Sequence, residues 1–341
     1  MNNYKPLKFQ KDSENRQLSI PFVFLIVTGR CNSRCITCSY WRNRPKKEIL
    51  TKERIYSLIS TLNKYHLETI IFTGGEPLLR SDLIEVAQKL KKGFSHLTLR
   101  LLTNGILLEK YVGVISKTFD VVAVSFDSAN RETYQKIRGV DALQKITNGI
   151  NRLRMLNREI EIRLRTVIQK ENFREIPQII SLGRKLGANK ISFIPADMFS
   201  DISFGRSKKM QNQNKVILSL EELVEYKDIL KSILETQKQN LKSGFLVEEG
   251  YDLIGIYDYY ASFHGLKKPV YPKCNSGRTA IIVDFQGDVW PCFFYESIGN
   301  IAKVSLEEIL HSDKMVDFKS KIINHRLKYC QKCTCPFFYE K

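Results

Sequence analysis

Apolar residues recur through the first part of this chain as short runs separated by amphipathic stretches. Six runs stand out: Phe22–Thr28, Thr69–Thr73, Leu97–Thr103, Val121–Phe126, Ile160–Ile168 and Lys190–Pro195. Each is either continuously apolar or alternating, the pattern of strands buried on both faces or on one. Between them the spacing turns helical. Ile55, Leu58, Ile59 and Leu62 share one helix face, and Leu143, Ile146, Ile150 and Leu153 share another. Strand and helix alternating at this pitch predict β/α units around a parallel sheet. Six units are too few to close an eight-stranded barrel. The expected fold is therefore α/β, an open partial (β/α)6 TIM-like barrel over residues 1–198.

The pattern changes after that. Ser200–Asn214 is polar and reads as irregular. Ser219 to Gln239 reads as a strong helix opened by a capping box of Ser219 and Glu222. A tyrosine-rich stretch follows, with Tyr251, Tyr257, Tyr259 and Tyr260. Residues 199–268 are expected to be a helical linker that covers the substrate. Thr279–Phe285, a turn at Gln286-Gly287 and Asp288–Trp290 read as a hairpin. One helix is expected from Leu306 to about Ile323. Residues 269–341 thus form a small C-terminal β-hairpin-plus-helix unit.

Composition narrows the class. The 341 residues are 43% hydrophobic and 26% charged, as in globular proteins. No apolar run approaches a membrane span, and the opening residues carry no signal-peptide pattern, so no membrane partner and a cytoplasmic location are expected. The formal net charge is +18. It admits an anionic partner, but the basic residues are scattered and no arginine-rich arm or aromatic-spaced RNA motif is present. Lysine spread over solvated faces accounts for it better than nucleic-acid binding.

Chemistry enters at the strand ends, where barrels of this kind place their sites. The first strand runs into Cys31-Asn-Ser-Arg-Cys35-Ile-Thr-Cys38. Three thiolates on one tight loop can hold three corners of a cubic iron–sulfur cluster and leave the fourth iron open. A zinc half-site is the alternative, but the first available histidine is His66. Gly74-Gly75-Glu76-Pro77 follows the second strand. Asn104-Gly105 follows the third, and Ser125-Phe-Asp127 closes the fourth. Glycines admit a close approach of ligand to backbone; an ordinary tight turn is the bland account. Asp127 or Ser128 could equally cap a helix beginning near Asn130. Arg138 could meet a carboxylate or make a surface salt bridge, and Arg165 on the fifth strand could do the same or point into the barrel; Asp197 and the tyrosines could face substrate, a core or interface role being the bland account for the tyrosines. Five more cysteines, at 274, 292, 330, 333 and 335, crowd the final quarter. Two thiol clusters suggest two metal centres rather than disulfides. A structural four-cysteine zinc site is the alternative for the second.

These strand-end motifs together resemble the radical S-adenosylmethionine superfamily. The resemblance implies a [4Fe-4S] cluster on Cys31, Cys35 and Cys38. It implies S-adenosyl-L-methionine bound by Gly74, Gly75, Glu76, Asn104, Ser125, Asp127 and Arg138. Thr37 departs from the family, which usually carries a bulky residue there; Tyr40 or Trp41 is expected to cover that side instead. Cys274, the Gly287 spacing to Cys292, and Cys330-Gln-Lys-Cys333 resemble the twitch domain, the half-length relative of SPASM. That implies one auxiliary [4Fe-4S] cluster, with Cys335 as a spare or as a replacement for Cys333. The implied enzyme cleaves S-adenosylmethionine reductively, and the 5′-deoxyadenosyl radical takes hydrogen from a small-molecule substrate, a sugar or nucleotide sugar. The auxiliary cluster serves as electron conduit, and an external reductant such as flavodoxin or ferredoxin is the expected partner. Only about twenty residues precede the first strand, so a leader-binding domain is not expected. Alternatives are a peptide maturase, a tRNA-modifying enzyme, and a non-catalytic electron carrier.

Overall fold

The computed structural model describes residues 18–42, 48–200, 203–205, 213–247, 253–269, 271–324, 326–334 and 336–339. Ten strands form one sheet: β1 Phe22–Ile26, β2 Thr69–Thr73, β3 Thr98–Thr103, β4 Val121–Ser125, β5 Glu161–Ile168, β6 Lys190–Pro195, β7 Leu246–Val247, β8 Ala280–Asp284, β9 Asp288–Trp290 and β10 Gly299–Asn300. Their order is β10-β9-β8-β1-β2-β3-β4-β5-β6-β7. Every pairing from β8 through β1 to β7 is parallel, whereas β8–β9 and β9–β10 are antiparallel. All six expected barrel strands are present. The C-terminal hairpin does not stand apart, because β8 pairs in register with β1, Phe22 opposite Ala280 and Ile26 opposite Asp284.

The helices between strands are α1 Lys52–Asn63, α2 Leu83–Gly93, α3 Leu108–Thr118, α4 Arg131–Arg138, α5 Leu143–Leu156 and α6 Ile176–Lys185. The anticipated faces are the buried ones. Ile55, Leu58, Ile59 and Leu62 pack inward from α1, and Leu143, Ile146, Ile150 and Leu153 from α5. They meet the outer face of the sheet, where Val23, Leu25, Leu99, Leu101, Ile162 and Leu164 are fully buried. Each such side chain stabilises the fold by roughly 1.5–3 kcal/mol relative to exposure. The opposite parity (Phe22, Phe24 and Ile26 on β1) lines the inside.

After the barrel come α7 Leu220–Thr236, α8 Lys238–Lys242 and α9 Leu253–Phe263. Ser219 and Glu222 form the expected capping box. The chain expected as one helix to Gln239 is interrupted at Gln237. Tyr226 and Tyr260 are fully buried. Tyr259 donates to Ala196 O at 3.1 Å and Tyr260 to Ile168 O at 2.5 Å, so these tyrosines bolt α9 to the strand ends. Tyr251 and most of Ser200–Asn214 lie outside the described residues. The single helix expected over 306–323 is two, α10 Leu306–Leu310 and α11 Asp313–Ile323. Ser312 stops the first and caps the second, accepting from Met315 N at 3.4 Å. At the lower mouth, Phe337 and Tyr339 stack edge-on against Phe22, centroids 5.1 and 4.7 Å apart.

Candidate active site

The cysteine loop leaves β1 and is pinned from two sides. On one side, Gly75 N donates to Thr28 O at 2.9 Å and Glu76 N to Arg30 O at 2.8 Å. On the other, Arg34 N donates to Arg138 O at 2.8 Å and Ile36 N to Ile137 O at 3.0 Å. The last carbonyls of α4, which have no partner within their own helix, are thus satisfied by the loop. Gly139 makes this possible. Its φ of 67° turns the chain left-handed, and a Cβ there would come within 2.7 Å of Arg34. Cys31, Cys35 and Cys38 are all half-buried.

The two glycines lie close against the cysteine loop. A Cβ on Gly74 would lie 2.5 Å from Thr28 O, and one on Gly75 2.2 Å from Arg30 O. What approaches them is the cysteine loop's own backbone, and the Gly75 and Glu76 donors are taken by it. Glu76 is likewise committed internally. It is fully buried, and its carboxylate accepts from Leu78 N at 3.1 Å, Thr103 Oγ1 at 2.8 Å and Asn104 N at 2.8 Å. Burial pushes its carboxyl up to about 7 against those three donors. Asn104 carries the link onward: its Nδ2 donates to Asn32 Oδ1 at 2.7 Å and Ser33 Oγ at 3.1 Å, and stands 4.0 Å from Cys31 Sγ. Glu76 and Asn104 therefore clamp the loops after β1, β2 and β3 to one another.

Asp127 is buried and does not cap a helix. Asn130 caps α4, accepting from Glu132 N at 2.8 Å and Thr133 N at 3.1 Å. Asp127 accepts from Val167 N at 2.8 Å and lies 2.7 Å from Arg138 Nε. Burial pushes its carboxyl up while Arg138 pulls it back. Arg138, left above between a carboxylate and a surface role, is buried and reaches a sulfur: its Nη1 donates to Cys35 Sγ at 3.5 Å. Ser125 ends β4 opposite Arg165, whose Nε donates to Ser192 Oγ at 3.3 Å. Asp197 turns inward on its own chain, accepting from Phe199 N and Ser200 N at 3.1 and 3.2 Å.

Beside Thr37 the loop is backed by its neighbours. Trp41 Nε1 donates to Cys35 O at 3.2 Å, and Cys38 Sγ donates to Phe204 O at 3.4 Å. Gly205 lets Tyr40 lie flush, since a Cβ there would meet the ring at 2.8 Å.

Cys274, Cys292 and Cys330 gather on one apolar cluster of Phe318, Ile322 and Leu327, with Cys333 buried nearby. Cys335 lies outside the described residues. The seven described cysteines are free thiols. Among the described residues no three His, Cys, Asp or Glu side chains converge as tightly as a single metal ion would need. The fit to iron–sulfur clusters rests on the donor set: thiols grouped in threes, with nitrogen donors turned toward two sulfurs of the first group. Burial pushes the thiols of Cys31 and Cys330 up to about 11 and about 12, so iron binding displaces protons there.

The interior sets Arg165 in a row with three basic residues that the sequence motifs did not single out. Arg100 on β3, Arg163 and Arg165 on β5 and Lys190 on β6 all take the inner parity. Arg100 stands over the Phe22 ring at 5.9 Å, and Arg163 and Lys190 share Glu161 at 2.6 and 3.0 Å. The signal was available in Thr-Leu-Arg-Leu-Leu-Thr and Glu-Ile-Arg-Leu-Arg-Thr, where charge alternates with apolar residues bound for the helical layer.

A model described as the Radical SAM superfamily matches residues 25–183, and one described as an iron–sulfur cluster-binding domain, SPASM, matches residues 274–334. A curated relative, "Probable GTP 3′,8-cyclase" of Saccharolobus islandicus (strain Y.N.15.51 / Yellowstone #2), is 25% identical over 301 residues, covering 88% of this chain and 90% of its own. A protein of the same description from Methanococcus aeolicus is 28% identical over 247 residues, covering 70% and 78%. Among solved structures, Streptococcus suis SuiB bound to precursor peptide SuiA superposes with a TM-score of 0.65 at 16% identity, over 89% of this chain and 67% of that one. Native anSMEcpe with bound AdoMet gives 0.65 at 19%, over 92% and 89%. These likenesses bear on the fold.

Proposed function

This chain belongs to the radical SAM superfamily and carries a C-terminal iron–sulfur domain of the SPASM type, and from that premise we propose that it acts on a small phosphorylated substrate held inside the barrel. Nucleotides and nucleotide sugars are the class that fits. The observation that carries this reading is the inner row of Arg100, Arg163, Arg165 and Lys190. It gathers four cations on the inner parity of β3, β5 and β6, where Arg163 and Lys190 share Glu161. Guanidinium groups match phosphate oxygens in charge and fork geometry. The curated relatives named for GTP agree with that class.

Cys31, Cys35 and Cys38 would hold the first cluster, and Cys274, Cys292, Cys330 and Cys333 the auxiliary one. When bound, the first cluster supplies the electron that cleaves S-adenosylmethionine to methionine and a 5′-deoxyadenosyl radical. Arg138 donates to a ligand sulfur and sets the charge beside it, while Asp127 fixes the guanidinium. Glu76 and Asn104 hold the loops in register, leaving Ser125 at the β4 end as a polar contact for the methionyl or ribose portion. Phe22, Phe337 and Tyr339 seal the lower mouth, which keeps water from the reacting carbon.

The test is anaerobic reconstitution with iron and sulfide, strong reductant, and candidate substrates in matched pairs. GTP, a nucleotide sugar and a phosphorylated sugar are compared with guanosine and the free sugars. The reading predicts that phosphorylated members raise 5′-deoxyadenosine output and their dephosphorylated partners do not. Equal response to both would remove it, and a response to peptide or tRNA alone would replace it.

A further inference from the structure

Phe204 stands between the two thiol groups. Its carbonyl accepts from Ser39 N at 2.9 Å and from Cys38 Sγ at 3.4 Å. Its ring meets the Phe294 ring edge-on, centroids 6.4 Å apart. Phe294 is buried, and its N–H donates to Cys292 Sγ at 3.4 Å. Cys292 shares an apolar cluster with Cys274 and Cys330. Phe204 and Phe294 therefore span the way from a thiol of the first group to a thiol of the second. The pairing of β1 with β8 also joins the two units, but it runs from Phe22 to Ile26 and touches neither thiol.

Phe204 holds this place in a conformation that costs a bulky residue free energy. Its φ of 55° and ψ of 35° are left-handed. Among the described residues, His66 is the one other non-glycine residue with a positive φ. Such a conformation persists where the surroundings over-determine it. Two constraints come from the cysteine loop: the bond from Ser39, and the close approach of Gly205 to Tyr40. The third, the ring contact, comes from the chain beside Cys292. That third constraint depends on the state of the Cys292 sulfur. An N–H donates more strongly to a thiolate than to a thiol, so loss of the thiol proton on iron binding fixes Phe294 more firmly. Phe294 then holds the Phe204 ring, and the Phe204 carbonyl holds the chain at Cys38 and Ser39. When Cys38 itself gives up its proton, the Ser39 bond keeps that carbonyl in place.

We propose that Phe204 and Phe294 couple the two thiol groups, so that iron held at Cys274, Cys292, Cys330 and Cys333 strengthens the retention of iron at Cys31, Cys35 and Cys38. The inference rests on the reading that both groups hold clusters. Phe204 and Phe294 act here as positioning residues, since neither side chain is itself a ligand. Linkage makes the effect reciprocal: iron at the first group strengthens retention at the second by the same factor. The strength of an edge-on aromatic pair sets that factor at about two- to tenfold.

The test is a cycle of four anaerobically reconstituted proteins: wild type, Phe204→Leu, the pair Cys274→Ala with Cys292→Ala, and all three substitutions together. Leucine keeps an apolar side chain and removes the ring. A chelator is added, and loss of iron from the first group is followed by electron paramagnetic resonance, its signal told apart by its change on adding S-adenosylmethionine. Emptying the second group is expected to speed that loss about two- to tenfold in chains that keep Phe204, and to leave it unchanged in chains carrying Phe204→Leu. Phe294→Leu removes the same contact from the other side; it should behave alike, and it decides the case where Phe204→Leu does not fold. Equal acceleration with and without the Phe204 ring would make Phe204 an ordinary packing residue and overturn the proposal. No acceleration in chains that keep Phe204 would overturn it too. Wild type holding no iron at the second group would defeat the underlying reading and the proposal with it, a result distinct from any effect of Phe204→Leu.

Discussion

Arg138 Nη1 donates to Cys35 Sγ across 3.5 Å, and the same guanidinium lies 2.7 Å from Asp127. The final residue of α4 thus connects a strand-end carboxylate to a thiol of the metal loop. A donor held against a ligand sulfur favours the more negative state of that ligand.

Arg138→Leu is therefore expected to make the first cluster harder to reduce and to lower turnover by about ten- to a hundredfold. Arg138→Lys should recover part of the loss. Potentiometric titration followed by electron paramagnetic resonance reads the midpoint. A purely structural role would lower cluster content and leave the midpoint of what remains in place.

The loops after β1 and β2 touch backbone to backbone at Gly75, where a Cβ would sit 2.2 Å from Arg30 O. Gly75→Ala is expected to destabilise the protein by about 1–3 kcal/mol or more and to reduce iron incorporation. Gly93, with nothing within 4 Å of a Cβ, is the control. Gly93→Ala should be neutral or stabilise by up to about 1 kcal/mol. Equal melting of the two variants would contradict the close-approach account.

Glu76 gives a pH signature with a definite sign. Burial raises its carboxyl to about 7 in the folded protein, above the value near 4.3 expected in the unfolded chain. The folded state then binds the proton more tightly. Its contribution to stability is fully present below the unfolded value and is lost as pH rises toward and through 7. Thermal midpoints should fall over that interval in wild type, and Glu76→Gln should flatten the dependence. Parallel curves would reject it.

The two thiol groups should separate in iron content. Wild type is expected to carry about eight irons per chain. Cys274→Ala together with Cys292→Ala should halve that number and retain cleavage of S-adenosylmethionine. Cys31→Ala should also remove about half and abolish cleavage. Iron and sulfide assays beside chromatography distinguish these outcomes.

Much of this was legible in the sequence because periodicity and punctuation are local. The six barrel strands, the two helix faces, the capping box and the hairpin follow from residues that are neighbours in the chain. What was not legible depends on partners far apart. Nothing near Gly74 or Gly75 announces that Thr28 and Arg30 are their close neighbours. The backbone donors of Gly75 and Glu76 are taken by the carbonyls of those same two residues. Arg138 looked undecided because its two partners lie eleven and more than a hundred residues away. The break at His311–Ser312 shows a local signal, the Ser312 cap, outweighing an apolar spacing that ran through it.

The central claim is that the Cys31–Cys38 loop supports reductive cleavage of S-adenosylmethionine. Quantifying 5′-deoxyadenosine and methionine from anaerobically reconstituted, fully iron-loaded protein under strong reductant tests it most directly. The account predicts both products in equal amounts, and none from Cys35→Ala. Full iron loading with neither product formed would contradict it.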